Sequence, residues 1–479
     1  MEKQGTAKCS QSASINLGSL RPIVAQQTGR YDVAKKVQRS SCIIEPGKFL
    51  STLPTYLPPQ WSDSIHPEGK IYFHRNSGLH VVTESYLYNR GTAENISAWV
   101  MEIEDRASKK GFEFTDQTEL FLQLDGNNCN YYFVDHGVRT LFWLDAYDTS
   151  QLGMLPVVSS SHLKTLLEAQ YWTHVENFCM HIGGIPLKTI DDLIDTLSHA
   201  LLDNLTSTQS TFPFNSADCE KFRSLLISSR ERINDGRTVC IVGRLWSMIM
   251  YARYETHYGE EQSRLSREIS IIANEAQEIQ WTKPLISVLS LRAADQYLVR
   301  LEGLFIDEFV YGNAWDAFMA SCMKGWQQSS LNAAALLLLH ILCFFLPVSP
   351  LLAYVSGSLA CLSLLTSVLL IHRHEELDMA GAAPAHAYLD EIRSKYFGMQ
   401  GAAFAYALPK AFFLYSVIAF VSQWGFIVCQ HVCLPYASLC IGAVFLSLIA
   451  FQYTTSRIQL PRPSFRVRLF RSAKEESMV

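Results

Sequence analysis

Two hydrophobic patterns run along this chain. Up to about residue 330, apolar positions alternate or recur at helical spacing among charged ones. Beyond it lie four apolar stretches, at approximately 331–348, 351–371, 409–429 and 433–453. Each is close to the ~20 apolar residues that a helix rising about 1.5 Å per residue needs to cross a bilayer core. Ala333-Ala334-Ala335-Leu336-Leu337-Leu338-Leu339 and Leu364-Leu365-Thr366-Ser367-Val368-Leu369-Leu370-Ile371 have little use in a water-soluble surface. The pattern predicts four transmembrane helices folded as two hairpins; the alternative is one buried helical hairpin in a soluble core.

The polar part subdivides further. Residues 1–45, rich in Ser, Gln and Gly without periodicity, read as a disordered arm. Residues 50–155 read as a small β/α module. Tyr72-Phe73 and Val81-Val82-Thr83 are strand-like, and Thr92 is placed to cap a helix over 93–110 with Trp99, Ile103 and Ala107 on one face. A second β-rich patch covers 120–124 and 131–143, with Asp125-Gly126-Asn127-Asn128 as its hairpin turn. From 156 to 328 the period is helical. Leu163, Leu166, Leu167, Gln170, His174 and Phe178 share one face, and Ile190, Leu193, Ile194, Leu197 and Leu201 form another stripe. Further helices fit 218–234, 238–257, about 262–280 and 313–328, although Gly243 lies inside one of them. Trp315 and Trp326 on the last helix suit a headgroup-level position, or else an ordinary core. The expected fold class is α+β, predominantly α: an N-terminal β/α module, a helical middle domain and a four-helix transmembrane region.

Charge adds an orientation. The loop between the second and third stretches carries Arg373, Arg393 and Lys395, and the tail from 456 to 479 carries Arg457, Arg462, Arg466, Arg468, Arg471 and Lys474. The hairpin turns at 347–350 and 430–432 carry no Lys or Arg. Both termini are therefore expected on the cytoplasmic side of an integral, multi-pass membrane protein. The start, Met1-Glu2-Lys3-Gln4-Gly5-Thr6, lacks a signal-peptide pattern. The sequons at Asn95 and Asn204 point weakly the other way. A formal net charge of -5 over 479 residues, with no long basic run in the polar part, gives no reason to expect nucleic acid. The 12 cysteines form no CxxC pair and suggest no disulfide framework.

The most specific run in the polar part is Tyr132-Phe133-Val134-Asp135-His136-Gly137-Val138-Arg139-Thr140-Leu141-Phe142-Trp143. It resembles the second and third strands of a WW domain. Leu57-Pro58-Pro59-Gln60-Trp61 and Tyr72-Phe73 resemble the other half of such a module, with Trp61, Tyr72 and Phe73 as its structural residues. Neither copy is complete. Thr83 stands at the second Trp position of the first copy and Asn76 at its His position, while Phe121 stands at the first Trp position of the second. The resemblance implies a proline-rich peptide held between Tyr132 and Trp143, with Val134 and His136 forming the neighbouring pocket. The alternative is that these aromatics pack the sheet against the helix carrying Trp99. As a whole the chain resembles a basidiomycete fungal membrane-protein family. That family joins a module containing His66-Pro67-Glu68-Gly69 and Tyr72-Phe73 to a helical middle and a multi-span C-terminus; the likeness implies architecture and no activity.

Chemistry is otherwise sparse. No GxGxxG, P-loop, GxSxG, HExxH or CxxC is present. His372-Arg373-His374-Glu375-Glu376 is the densest ligand-like cluster, and His372 and Glu376 share a helix face; a solvated collar at the membrane boundary is the simpler reading. His174, Glu176 and His181 fit a helix face and its frayed end. No cofactor, metal or catalytic residue is expected. The apolar stretches offer His340, Gln423 and a few hydroxyls, and Ser356-Gly357-Ser358 reads as a packing device. The expectation is a membrane-anchored protein-interaction module whose partners are the lipid bilayer and a proline-rich protein segment. The alternatives are a membrane enzyme or transporter with a dispersed site, and a structural scaffold.

Overall fold

The computed structural model describes residues 17–31, 56–207, 209–272, 281–343, 350–378 and 381–431, with scattered positions at 36–47 and 442–450. The chain divides into two compact units, Met1–Asn274 and Glu275–Val479.

Alternating side chains in the first unit build one mixed sheet from both β-rich patches. The first patch gives β2 (Trp61–Ile65), β3 (Ile71–Arg75) and β4 (His80–Thr83), an antiparallel meander preceded by the short β1 (Leu20–Pro22). After α1 (Arg90–Lys109) the second patch gives β5 (Thr118–Asp125), β6 (Asn128–Asp135) and β7 (Thr140–Phe142), also antiparallel. β4 pairs with β5 in parallel, so α1 is the crossover that joins the two meanders. The spatial order is β1-β6-β5-β4-β3-β2, with β7 sharing the β6 edge with β1. The expected hairpin turn forms, with Asp125 opposite Asn128 and Gly126 at φ 62°. Asn89, and not Thr92, caps α1; its side chain accepts the Thr92 N–H.

Both faces of this sheet are covered. Phe73, Val81, Leu120, Leu122, Tyr131 and Phe133 face α1, where they bury Trp99, Ile96 and Ile103. Their neighbours Tyr72, Val82, Phe121, Tyr132 and Val134 point the opposite way, as the two-residue period of a strand demands, and pack against a helical layer. That layer is α2 (Ser160–Asn177), α3 (Leu187–Thr206), α4 (Ser216–Ser229) and α5 (Gly236–Glu255). The expected boundary at 155/156 between a β/α module and a separate helical domain is thus corrected: sheet and helices share one core, because the second apolar face of the sheet must be buried. The disordered arm expected at 1–45 is corrected over 17–31. There β1 pairs with β6, and the Arg30 side chain is buried against Glu84. The expected helix at 262–280 is absent over 262–272, where Ser263 donates to the carbonyls of His257 and Glu260, a hydroxyl competing with the helical ladder.

Gly243 in α5 is explained by its neighbour. A Cβ there would stand 2.8 Å from the Glu176 backbone N and 3.1 Å from its Cα, so the missing side chain lets α5 lie directly on α2. Helix propensity alone would make Gly243→Ala stabilising by up to about 1 kcal/mol. The clash is with backbone, so the expected result is a loss of about 1–3 kcal/mol in urea unfolding. A rise in the unfolding midpoint would show that the approach is not tight.

The second unit is helical: α6 (Thr282–Leu289), α7 (Ala293–Leu304), α8 (Gly312–Cys343), α9 (Pro350–His374), α10 (Ala382–Ile392) and α11 (Gln400–His431). Among the described residues two helices, Pro350–Leu377 and Gln400–Ile427, are long and apolar enough to cross a membrane, in place of the four expected. The stretch expected at 331–348 is the end of α8, described to Cys343, and most of 433–453 lies outside the described residues. The third stretch begins earlier than expected, so that Pro409 and Lys410 sit inside α11. Trp315 and Trp326 are fully buried and donate their indole N–H groups to Leu377 O and Tyr406 O, at 3.0 and 3.1 Å, which makes them core residues of this unit and not headgroup anchors. Ser356 and Ser416 exchange hydroxyl-to-carbonyl bonds of 2.8 and 2.6 Å between α9 and α11. In the His372–Glu376 cluster, His372 and Glu376 are exposed, while His374 is buried against the Tyr388 and Tyr406 hydroxyls at 2.6 and 3.1 Å.

Candidate metal centre

Glu119 is the buried acidic side chain of β5, turned toward the helical layer on the same parity as Phe121. Only about 3% of its side chain is exposed, and three histidines surround it. His136, just past β6, places Nε2 3.1 Å from Oε2; His174, in the last turn of α2, places Nε2 2.9 Å from the same oxygen. His181, beyond the end of α2, places Nε2 2.6 Å from Oε1. Burial by itself would raise the Glu119 pKa. The electrostatic interaction with His181 and the hydrogen bonds from His136, His174 and His181 outweigh it and hold the carboxyl well below its ordinary range.

Each far ring nitrogen meets a tyrosine hydroxyl. His174 Nδ1 is 3.0 Å from Tyr132 Oη, His136 Nδ1 is 3.4 Å from Tyr171 Oη, and His181 Nδ1 is 3.1 Å from Tyr72 Oη. The three tyrosines differ in one respect. Tyr72 Oη also accepts the Met180 N–H at 2.9 Å, so its own proton is directed to His181 Nδ1. That leaves His181 with its proton on Nε2, as a donor to Glu119. Tyr132 and Tyr171 are under no such constraint, and their oxygens are able to accept Nδ1–H and leave Nε2 bare. Burial pushes the hydroxyls of Tyr72, Tyr132 and Tyr171 above their usual range, so all three remain protonated. Burial also lowers the His174 pKa, against the pull of Glu119, and keeps that ring neutral.

The arrangement matches a His₂–carboxylate donor set. Glu119, His136 and His174 each offer an atom, and all three atoms lie within 4.8 Å of one another. Two ligands about 2.1 Å from one ion at right angles stand about 3 Å apart, which is the spacing of Oε2 from both Nε2 atoms. His181 then holds the second carboxylate oxygen, a supporting contact of the kind that orients metal ligands. His74 stacks on His181 at 4.7 Å between ring centres. The His136 side chain is about 20% exposed while His174 is fully buried, so solvent approaches the cluster from the His136 side.

The peptide-site residues expected from the WW resemblance occupy different positions. Tyr132 and Val134 are fully buried, Tyr132 being stacked on Phe121 at 4.7 Å. Trp143 is half-buried and donates its indole N–H to Ile23 O at 3.0 Å. His136 belongs to the Glu119 cluster. A groove walled by Tyr132 and Trp143 needs an exposed tyrosine ring, and the helical layer covers that ring. Trp61, Tyr72 and Phe73 are buried in the sheet. Glu119 and His181 were not assigned a role from the sequence; the available signal was a charged residue on the inward parity of the strand Thr118-Glu119-Leu120-Phe121-Leu122. No protein-family model, curated protein or solved structure matches the chain.

Proposed function

We propose that the first unit carries a divalent-metal centre held by Glu119, His136 and His174, in a protein attached to a lipid bilayer by the apolar helices of the second unit. The observation that carries this reading is the convergence of two imidazole Nε2 atoms on one buried carboxylate oxygen, each backed by a tyrosine hydroxyl able to reverse its hydrogen bond. Three protein ligands leave a position for water or substrate on a first-row ion, the donor pattern of catalytic zinc and of non-haem iron. This favours the membrane-enzyme alternative over the peptide-binding one. Bilayer attachment is supported by the surface of the two long helices: only 22% and 33% of their most apolar windows are buried by protein. A soluble core helix would be covered on most sides. The cation-free turns and basic loop favour cytoplasmic termini.

The test is metal content of the full chain purified in detergent. One equivalent of zinc, iron or manganese per chain is expected, with a loss of at least tenfold in affinity for His136→Ala and His174→Ala. Tyr132→Phe removes only the hydroxyl behind His174 and is expected to weaken the ion by about 10–100-fold. Wild-type protein that retains none of these ions, and whose unfolding none of them shifts, would reduce the cluster to a hydrogen-bond network.

A further inference from the structure

A second cluster, with no residue in common with the first, lies at the end of α2. His66, Cys179 and Cys240 each offer an atom within 4.8 Å of the others. Their elements touch through backbone. A Cβ on Gly236, at the start of α5, would stand 2.7 Å from Met180 Cα and 3.1 Å from Cys179 O, so nothing separates the Cys179 segment from the helix that carries Cys240. Both cysteines are free thiols; Cys179 is fully buried and Cys240 half-buried.

The histidine decides between metal and thiol chemistry. His66 Nδ1 accepts the Glu68 N–H at 3.2 Å, which places the ring proton on Nε2. Nε2 points to Glu176 O at 3.0 Å and to Cys240 Sγ at 3.5 Å. A protonated nitrogen is a donor and not a ligand, so this set is built to stabilise a thiolate. The charged groups around it agree. Glu68 from the β2–β3 turn and Glu176 from α2 both pair with Arg244, one turn beyond Cys240, at 2.5 and 2.6 Å, so its single positive charge offsets part of theirs. A hydrogen bond from the Cys179 thiol outweighs burial and, with His66, brings the Cys240 thiol down to about 5; the same pairing pushes Cys179 up.

We propose that Cys240 and Cys179 form a reversible redox pair, with Cys240 the thiolate that reacts with a hydroperoxide and Cys179 the thiol that resolves it. The Cys240 sulfur attacks the peroxide, an S–O bond forms and the O–O bond breaks, and the departing oxygen takes up a proton and leaves as alcohol or water. Cys179 then loses its proton and attacks the Cys240 sulfenic acid. An S–S bond of about 2 Å replaces the S–O bond, and the hydroxide leaves as water with that proton. Two thiols have lost two electrons and the peroxide has gained them. A dithiol reductant reverses the step by two thiol–disulfide exchanges.

The experiment treats the full chain in detergent with one equivalent of hydrogen peroxide and maps the cysteines by mass. A Cys179–Cys240 linkage, lighter by two hydrogens and erased by dithiothreitol, is expected. Cys179→Ser should stop at a sulfenic acid on Cys240 that dimedone captures, and Cys240→Ser should leave Cys179 unmodified. Iodoacetamide supplies a readout on wild-type protein. Between pH 6 and pH 8 an ordinary thiol gains about 100-fold in rate, whereas Cys240 should change less than about twofold, because its low affinity for the proton leaves it ionised throughout. His66→Ala, which removes one of the two donors and leaves the Cys179 hydrogen bond, should steepen the slope. Either an ordinary slope in wild-type protein or oxidation without the linkage overturns the proposal. So does a zinc ion that is lost in Cys240→Ser yet kept in His174→Ala, which would mark a structural metal site.

Discussion

Glu119→Leu is expected to lose about 3–5 kcal/mol of stability, the scale of breaking a buried charge cluster by removing one partner. The substitution takes away the carboxylate that faces the Nε2 atoms of His136, His174 and His181, at 3.1, 2.9 and 2.6 Å. Leucine fills similar volume, so the loss comes from stranded N–H donors and not from a cavity; each buried polar group left without a partner costs about 1–3 kcal/mol. The three rings come from the residue after β6, from α2 and from the segment after α2, so their release loosens the contact between sheet and helices. Glu119→Gln should lose less, since one oxygen stays an acceptor while the new amide meets donors. Urea unfolding of the full chain, read by hydrogen-exchange protection of the β5 and β6 amides, measures the loss. A change below about 1 kcal/mol in the leucine variant would mean that the cluster contributes nothing net.

Arg30→Ala is expected to be as damaging, and it tests whether the 17–31 segment is structural. Arg30 Nη1 lies 2.6 Å from Glu84 Oε1 and 3.0 Å from Asn177 O, and the two side chains are 4% and 5% exposed. With the guanidinium gone, Glu84 stays buried, with the Lys70 ammonium 3.7 Å away. About 3–5 kcal/mol is the expected cost, together with faster exchange at the amides of β1. Replacing both partners, Arg30→Met with Glu84→Leu, should recover most of the loss, because a well-packed apolar pair removes the desolvation problem. If the single and double variants unfold alike, the pair does not hold the arm.

How far the sequence could be read depended on the range of each interaction. The continuous aromatic run Tyr131-Tyr132-Phe133-Val134 and the Gly126-Asn127 turn marked the second meander, and the stripe through Trp99 marked α1, since each signal lies within a few neighbouring residues. The seven-stranded sheet was not legible. Its parallel β4–β5 pairing and the docking of β1 join residues far apart in the chain, and three residues of β1 carry no pattern of their own. The aromatic run from Tyr132 to Trp143 was legible as strands. Its likeness to a peptide groove failed because the covering helix, α2, lies outside the run that suggested it.

The candidate metal centre shows the same division. His174 and His181 stood out as polar residues at the end of a helix, and local spacing accounted for them without a ligand. Their partner Glu119 lies 55 and 62 positions away, so no motif links them. By itself the sequence determined an α+β chain, predominantly helical, with short-period strands, capped helices and long apolar stretches, because those features depend on neighbours within one or two turns. The tertiary structure decided which faces were covered, that Gly243 brings two helices together, and that one carboxylate meets three histidines. Those outcomes depend on which surfaces of the folded chain are pressed together, and the spacing of residues along the chain does not carry that information.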